Sequence, residues 1–272
     1  MARRLYRTRG GSLIKTYFAI SDIHGFYYPM HRSLYKAGFR KTNPDHILIV
    51  CGDIFDRGPD SVKVYNFLKS LPRDRRILIR GNHEFLLRDL IARGYPKGHD
   101  YHNGTMDTVS QFIDAFGGED SSELLTHREQ CELFKELSEP ILDWIFSDEW
   151  VNYYEIDKYI FVHSWIPVDT HTTWPLYELN YYGGFTYMEN WRELSDSVWE
   201  EATWGCPIQM FAYGLYPKGK TMVCGHLTAA DFHRYFEHTS AIDFTTYQSD
   251  ELIGLDATTV RSNFCNVYKF SI

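Results

Sequence analysis

Apolar positions follow two rhythms in the first third of the chain. Residues 15–20, 46–51 and 76–79 are short runs dominated by apolar side chains, the pattern of strands covered on both faces. Between and after them, residues 28–37, 61–69 and 84–92 carry apolar side chains at helical spacing. In the second of these, Val62, Val64, Tyr65 and Leu68 form one stripe. Strands alternating with helices predict a parallel sheet with right-handed crossovers. Farther on, residues 105–116 and 127–137 read as helices, the second ended by Pro140. Residues 151–156 and 159–162 flank Asp157-Lys158 as a hairpin. Residues 221–224, 241–244, 252–255 and 266–270 read as short strands. No repeat, low-complexity tract or linker interrupts residues 1–272. The expected organisation is one α/β domain with an irregular, aromatic-rich insertion at about 166–220.

Composition narrows the function. The net charge of -8 argues against general nucleic-acid binding, which calls for a basic footprint. The one basic run, Arg3, Arg4, Arg7 and Arg9, reads as a solvated terminus, with a weak contact for an acidic partner as the alternative. No apolar stretch approaches the roughly 20 residues of a membrane span. The five cysteines are odd in number and lack CxxC spacing, so they are expected to be reduced thiols of a cytoplasmic protein and not zinc ligands. Aromatic content is high at 17%. The excess crowds the insertion, with Trp174, Tyr177, Tyr181, Tyr182, Phe185 and Trp191 among others. Two readings stay open for it: packing of a loop-rich subdomain, or a stacking wall for a base or an aromatic-bearing peptide.

Chemistry-bearing residues gather at predicted strand ends, where open α/β sheets bind ligands. Ser21-Asp22-Ile23-His24-Gly25 follows the first strand, and Gly52-Asp53-Ile54-Phe55-Asp56-Arg57-Gly58 follows the second. Gly81-Asn82-His83-Glu84 follows the third. His163 ends the hairpin, and Gly225-His226 follows residues 221–224. Any one of these could be a turn or a helix cap. Together they form an oxygen and imidazole donor set without thiolate, suited to Mn, Fe, Co or Zn. The candidates exceed the needs of one closed site, and a carboxylate bridging two ions uses them naturally.

With SDIHG, GDIFDRG, GNHE, VHS and CGH in this order, the chain resembles the metallophosphoesterases of the calcineurin-like fold. The closer resemblance is to the phosphoprotein phosphatase branch, which includes serine/threonine protein phosphatases and diadenosine tetraphosphatases. The closing LIGLDAT segment extends the likeness over nearly the whole chain. The resemblance implies a four-layer α/β/β/α sandwich, a central mixed β-sandwich flanked by helices. It implies two divalent metal ions, manganese foremost, with iron, zinc, cobalt or nickel as alternatives. Asp22 and His24 would hold the first ion, Asp53 would bridge both, and Asn82, His163 and His226 would complete the second. Arg57 and Arg80 would bind phosphate, and His83, oriented by Asp56, would protonate the leaving oxygen.

The expected reaction is hydrolysis of phosphomonoesters on a phosphorylated protein. A dinucleoside polyphosphate or other nucleotide phosphodiester is the alternative, and an inactive binding module a third reading. Two departures bear on the choice. Trp165 in VHSWIP could narrow the site or pack. Residues 197–204 resemble the segment that carries a third phosphate arginine in protein phosphatases, but Glu200 and Glu201 stand there, leaving Arg192 as a possible substitute.

Overall fold

The computed structural model describes residues 14–118, 121–170 and 185–272. The N-terminal arginines and Trp174, Tyr177, Tyr181 and Tyr182 lie outside these residues.

The alternating first third folds as its pattern requires. It runs β1 (Thr16–Ile20), α1 (Tyr27–Ala37), β2 (His46–Cys51), α2 (Ser61–Lys69), β3 (Arg76–Ile79) and α3 (Asn82–Arg93). β1, β2 and β3 pair in parallel. Four helices follow: α4 (Gly98–His102), α5 (Thr105–Gly117), α6 (His127–Leu137) and α7 (Glu139–Ile145). Pro140 therefore does more than end α6. It sits in the first turn of α7, where its missing N–H costs nothing.

The segment expected as one strand at 151–156 is divided between two sheets. β4 (Trp150–Val151) pairs in parallel with β3, whereas β5 (Tyr154–Ile156) pairs antiparallel with β6 (Tyr159–Phe161). The chain crosses at Asn152 and Tyr153. Tyr153 is held there by ring contacts to Trp191 and Trp199, with centroids 4.9 and 5.2 Å away.

The stretch expected to be irregular is partly ordered: β7 (Val168–Thr170), β8 (Phe185–Tyr187), α8 (Asp196–Ala202) and α9 (Pro207–Ala212) fall in it. Then come β9 (Thr221–Thr228), α10 (Ala229–Phe236), β10 (Tyr247–Gln248), β11 (Leu252–Asp256), α11 (Thr259–Ser262) and β12 (Tyr268–Ser271). Residues 241–244 are not a strand. Thr239 and Asp243 side chains accept the N–H groups of Ala241 and Thr245, the local bonding by which Thr and Asp favour turns over ladders.

Two five-stranded mixed sheets result, ordered β12-β1-β2-β3-β4 and β10-β11-β9-β6-β5. Strand alternation assigns every apolar residue a layer. Tyr17, Ala19, Ile47, Ile49, Phe161, Val223 and Ile253 form the core between the sheets. Phe18, Ile20, Leu48, Val50 and Leu78 point the other way, onto the helices that cover the first sheet. Ile160, Val162, Met222, Cys224 and Leu252 pack under the helices on the second. Three apolar seams separate four layers, the α/β/β/α sandwich that the sequence motifs implied.

Trp165 belongs to the last seam. It is buried, its indole N–H donates to the Leu215 carbonyl at 2.8 Å, and it contacts Phe211 and Tyr216 edge-on. It packs and does not narrow a site. Trp165→Ala should cost about 3–5 kcal/mol, read as a lowered urea midpoint at unchanged slope. A loss below about 1 kcal/mol would contradict its place in the core.

Candidate metal centre

The two sheets bring the motif residues together along one end of their strands. Asp22 and His24 follow β1, and Asp53, Asp56 and Arg57 follow β2. Asn82 and His83 open α3 just after β3, and His163 follows β6. His226 differs from expectation: it lies inside β9, not past its end. Between the pairs Cys224–Gly254 and Thr228–Asp256, β9 sets residues 225–227 against Leu255 alone, a bulge that re-aims His226.

The backbone is strained here. Ten non-glycine residues among those described have positive φ, and six of them are Asp22 (49°), His24 (47°), Asp53 (55°), Asp56 (72°), Arg57 (65°) and His226 (66°). Such conformations cost roughly 1–3 kcal/mol each and concentrate at functional sites.

Asp53 is the shared member. Its Oδ2 lies 3.6 Å from His24 Nε2 and 3.8 Å from His83 Nε2, and its Oδ1 lies 3.4 Å from His163 Nε2. Ligating atoms of Asp22, Asp53 and His163 fall within 4.8 Å of one another, as do those of His24, Asp53 and His83. Asn82 Oδ1 sits 2.8 Å from His163 Nε2 and 3.2 Å from His226 Nδ1. The His226 N–H donates to both Asp22 oxygens, at 3.1 and 3.3 Å. His24 and His163 turn Nδ1 to the Phe55 and Cys51 carbonyls, at 3.0 and 2.9 Å. Those bonds fix the tautomer and leave Nε2 facing the cluster, the usual arrangement of a ligating imidazole.

Several supporting residues were not singled out from sequence. Glu84 accepts three backbone N–H groups, from Asp53 and Ile54 at 3.0 Å each and from Gly81 at 2.6 Å. It buckles the Asp53 loop to the start of α3. Thr105 and Thr108 donate to the two oxygens of Asp56. Asp256 is buried near Asp22. Glu84 stood inside a motif, and its bond to Gly81 is a local helix cap, but its bonds to Asp53 and Ile54 are tertiary. The threonines gave no signal, because Thr in an amphipathic helix looks neutral. Glycine is required at 81 and 225 by close approach: a Cβ there would overlap the carboxylates of Asp53 and Asp22.

Electrostatics suit a cation. Burial holds His24 and His226 well below the ordinary imidazole range, and lowers His163 as well. These rings are neutral donors at physiological pH. Burial, aided by the neighbouring Asp53, raises Asp22 to about 6, and burial raises Asp53 too. Closely packed buried carboxylates beside unprotonated imidazoles are costly without a compensating positive charge. The donor set therefore fits divalent ions. His83 behaves oppositely. Burial works against its protonation, but the Asp53 charge and the 2.7 Å bond from Nδ1 to Asp56 Oδ2 push it up. It is the one site histidine disposed to carry a proton.

The arginines part company. Arg57 reaches His24 Nε2 at 2.9 Å and His83 Nε2 at 3.1 Å, so its guanidinium is at the cluster. Arg80 donates to the Ile145 and Ser147 carbonyls, 3.1 Å each, and to Asn152 Oδ1 at 3.2 Å, tying α7 to the crossing between sheets. Arg192 pairs with Glu155. Glu200 pairs through both oxygens with Arg88 of α3, at 2.7 and 2.9 Å.

Asp53→Asn and His83→Asn should both abolish turnover, but only the first should reduce bound metal, measured by mass spectrometry of the purified protein. Metal loss in both, or activity in either, contradicts these placements. In the metal-free protein the raised Asp22 pKa means that its stability cost is absent below about pH 4 and grows as pH rises through 6. Asp22→Asn should therefore raise the melting temperature of metal-stripped protein at about pH 8 and change it little at pH 4. Equal shifts at both pH values would refute this.

The chain is similar to several known proteins. A symmetrical bis(5'-nucleosyl)-tetraphosphatase from Legionella pneumophila strain Lens is 39% identical over 104 residues, 38% of this chain and 34% of the relative. One from Buchnera aphidicola (Acyrthosiphon pisum strain 5A) is 35% identical over 127 residues, 46% of this chain and 41% of the relative. The match thus spans well under half the length of these curated relatives. Among solved structures, a cold-active protein-tyrosine phosphatase of a psychrophilic Shewanella aligns over 94% of this chain and 75% of its own, at 15% identity and a TM-score of 0.47. A protein serine/threonine phosphatase from Saccharomyces cerevisiae aligns over 88% and 66%, at 14% identity and a TM-score of 0.45. The profile of calcineurin-like phosphoesterases matches residues 16–250, nearly the whole of the chain, which therefore belongs to the calcineurin-like phosphoesterase family.

Proposed function

We propose that the protein is a metal-dependent phosphoester hydrolase acting on dinucleoside polyphosphates. The observation that carries the hydrolase reading is the shared carboxylate of Asp53, set among His24, His83 and His163. Asp22 and His24 would hold one divalent ion, Asn82, His163 and His226 a second, and Asp53 both. Manganese is the expected metal. Bound ions of this kind supply Lewis acidity and an activated water. The chain's own groups do the rest. Arg57 would grip phosphoryl oxygens, which its planar fork matches. His83 would give its proton to the leaving oxygen while Asp56 holds the ring.

The nucleotide substrate replaces the phosphomonoester expected from the motifs. The curated relatives described above are tetraphosphatases, which supports it. A charge argument points the same way. A terminal phosphoryl dianion concentrates more charge than an internal phosphoryl of a polyphosphate, and so gains more from several arginines. Here Arg57 faces the cluster, whereas Arg80 and Arg192 bond elsewhere and Glu200 is paired with Arg88. A phosphoprotein substrate is the second reading, supported by the GDIFDRG and GNHE motifs.

The chain is read as one domain. Among the described residues no helix is long and apolar enough to cross a membrane. The five buried free cysteines support a cytoplasmic setting.

Manganese-loaded protein should hydrolyse diadenosine tetraphosphate with a kcat/KM at least about tenfold above that for a phosphoserine peptide or p-nitrophenyl phosphate, a difference of about 1.4 kcal/mol. The reverse order would favour the phosphoprotein reading. No metal-dependent hydrolysis of any of them would reject both.

A further inference from the structure

α5 carries a polar stripe that touches none of the candidate metal ligands. Thr105, Thr108 and Gln111 recur at every third position, and all three bond to the loop that carries Asp56 and Arg57. Thr105 Oγ1 donates to Asp56 Oδ2 at 2.9 Å. Thr108 Oγ1 lies 2.8 Å from Asp56 Oδ1 and 3.0 Å from the Asp56 N–H. Gln111 accepts the Ser61 N–H at 2.7 Å and donates to the Gly58 carbonyl at 2.9 Å. One residue before the helix, Gly104 lies so close to Arg57 that an added Cβ would overlap its backbone nitrogen. Both threonines and Asp56 are fully buried.

The residues so bracketed are the two strained neighbours, Asp56 and Arg57, both left-handed. A left-handed pair of this kind persists only when its surroundings over-determine it. α5 supplies anchors on both sides: Asp56 through the threonines, Gly58 and Ser61 through Gln111. Resting on the hydrolase reading above, we propose that α5 is the positioning element of the site. Thr105 and Thr108 fix the Asp56 carboxylate, and through it the His83 ring. Gly104 and Gln111 fix the backbone that aims Arg57. Two roles for one helix give two separable kinetic signatures. Loss of a threonine hydroxyl acts on proton delivery, a feature of the transition state. Loss of Gln111 acts on the phosphate grip, which substrate already uses when bound.

The test uses the full chain with manganese and diadenosine tetraphosphate, comparing Thr105→Val, Thr105→Ser and Gln111→Leu. Thr105→Val should lower kcat about tenfold or more with KM within about twofold. Thr105→Ser should recover most of that loss, because it restores the donor. Gln111→Leu should mainly raise KM. Bound manganese per chain should equal that of the unaltered protein in all three. Unchanged kcat in Thr105→Val overturns the proposal. So does a common loss of kcat and KM in both Val and Leu variants with Ser no better than Val, the pattern of general destabilisation. A second readout does not need turnover. In zinc-loaded protein, the His83 Nδ1–H bonded to Asp56 should give a slowly exchanging proton NMR signal, lost in Thr105→Val and kept in Thr105→Ser. Should the unaltered protein hydrolyse nothing, the hydrolase reading fails on its own, and this signal still decides the role of α5.

Discussion

The arrangement turns on the carboxylate of Asp53. One of its oxygens faces His163, which follows a strand of the second sheet, and the other faces His24 and His83, which follow strands of the first. A single side chain thus spans the join between the two sheets. It can do so because its own backbone is held left-handed, because Glu84 accepts its N–H, and because Gly81 leaves room beside it. Burial then makes the site expensive. Carboxylates raised by desolvation stand beside imidazoles lowered by it. The sandwich supplies the rigidity that keeps these groups together, since three apolar seams fix where each strand ends.

The same rigidity explains what could be read from the chain alone. β2 and α2 were legible to the residue, because HILIVC is apolar throughout and Val62, Val64, Tyr65 and Leu68 form a clear stripe. That the motif residues gather in one place was legible because they recur at strand ends in a distinctive order. What escaped was tertiary. The crossing at Asn152 and Tyr153 depends on aromatic partners some 40 residues away. The bulge that re-aims His226 is a matter of register between β9 and β11, and register has no local signature. α7 was hidden because a proline that ends one helix can equally begin the next. The strand expected at 241–244 failed because Thr239 and Asp243 bond to the adjacent backbone.

Charge distribution shapes the outer part of the site. A sequence motif can name an arginine but not its partners. Arg57 and Arg80 look alike in DRG and RGNHE, yet one faces the histidines and the other holds the carbonyls of Ile145 and Ser147. Glu200, in the segment that resembles the arginine-bearing one of protein phosphatases, is tied to Arg88 and links α8 to α3, the helix whose first turn carries Asn82 and His83. The chain therefore gathers the motif residues of its family in one cluster, while its arginines are partnered differently around it. That difference inclines the proposed substrate toward a bridging phosphoryl group.

The central claim is that Asp53 is shared between two metal ions. Electron paramagnetic resonance of the protein titrated with manganese tests it most directly. Shared coordination predicts that the spectrum at saturation is that of a spin-coupled pair, with two ions bound per chain. A spectrum of isolated manganese that saturates at one ion per chain would contradict it.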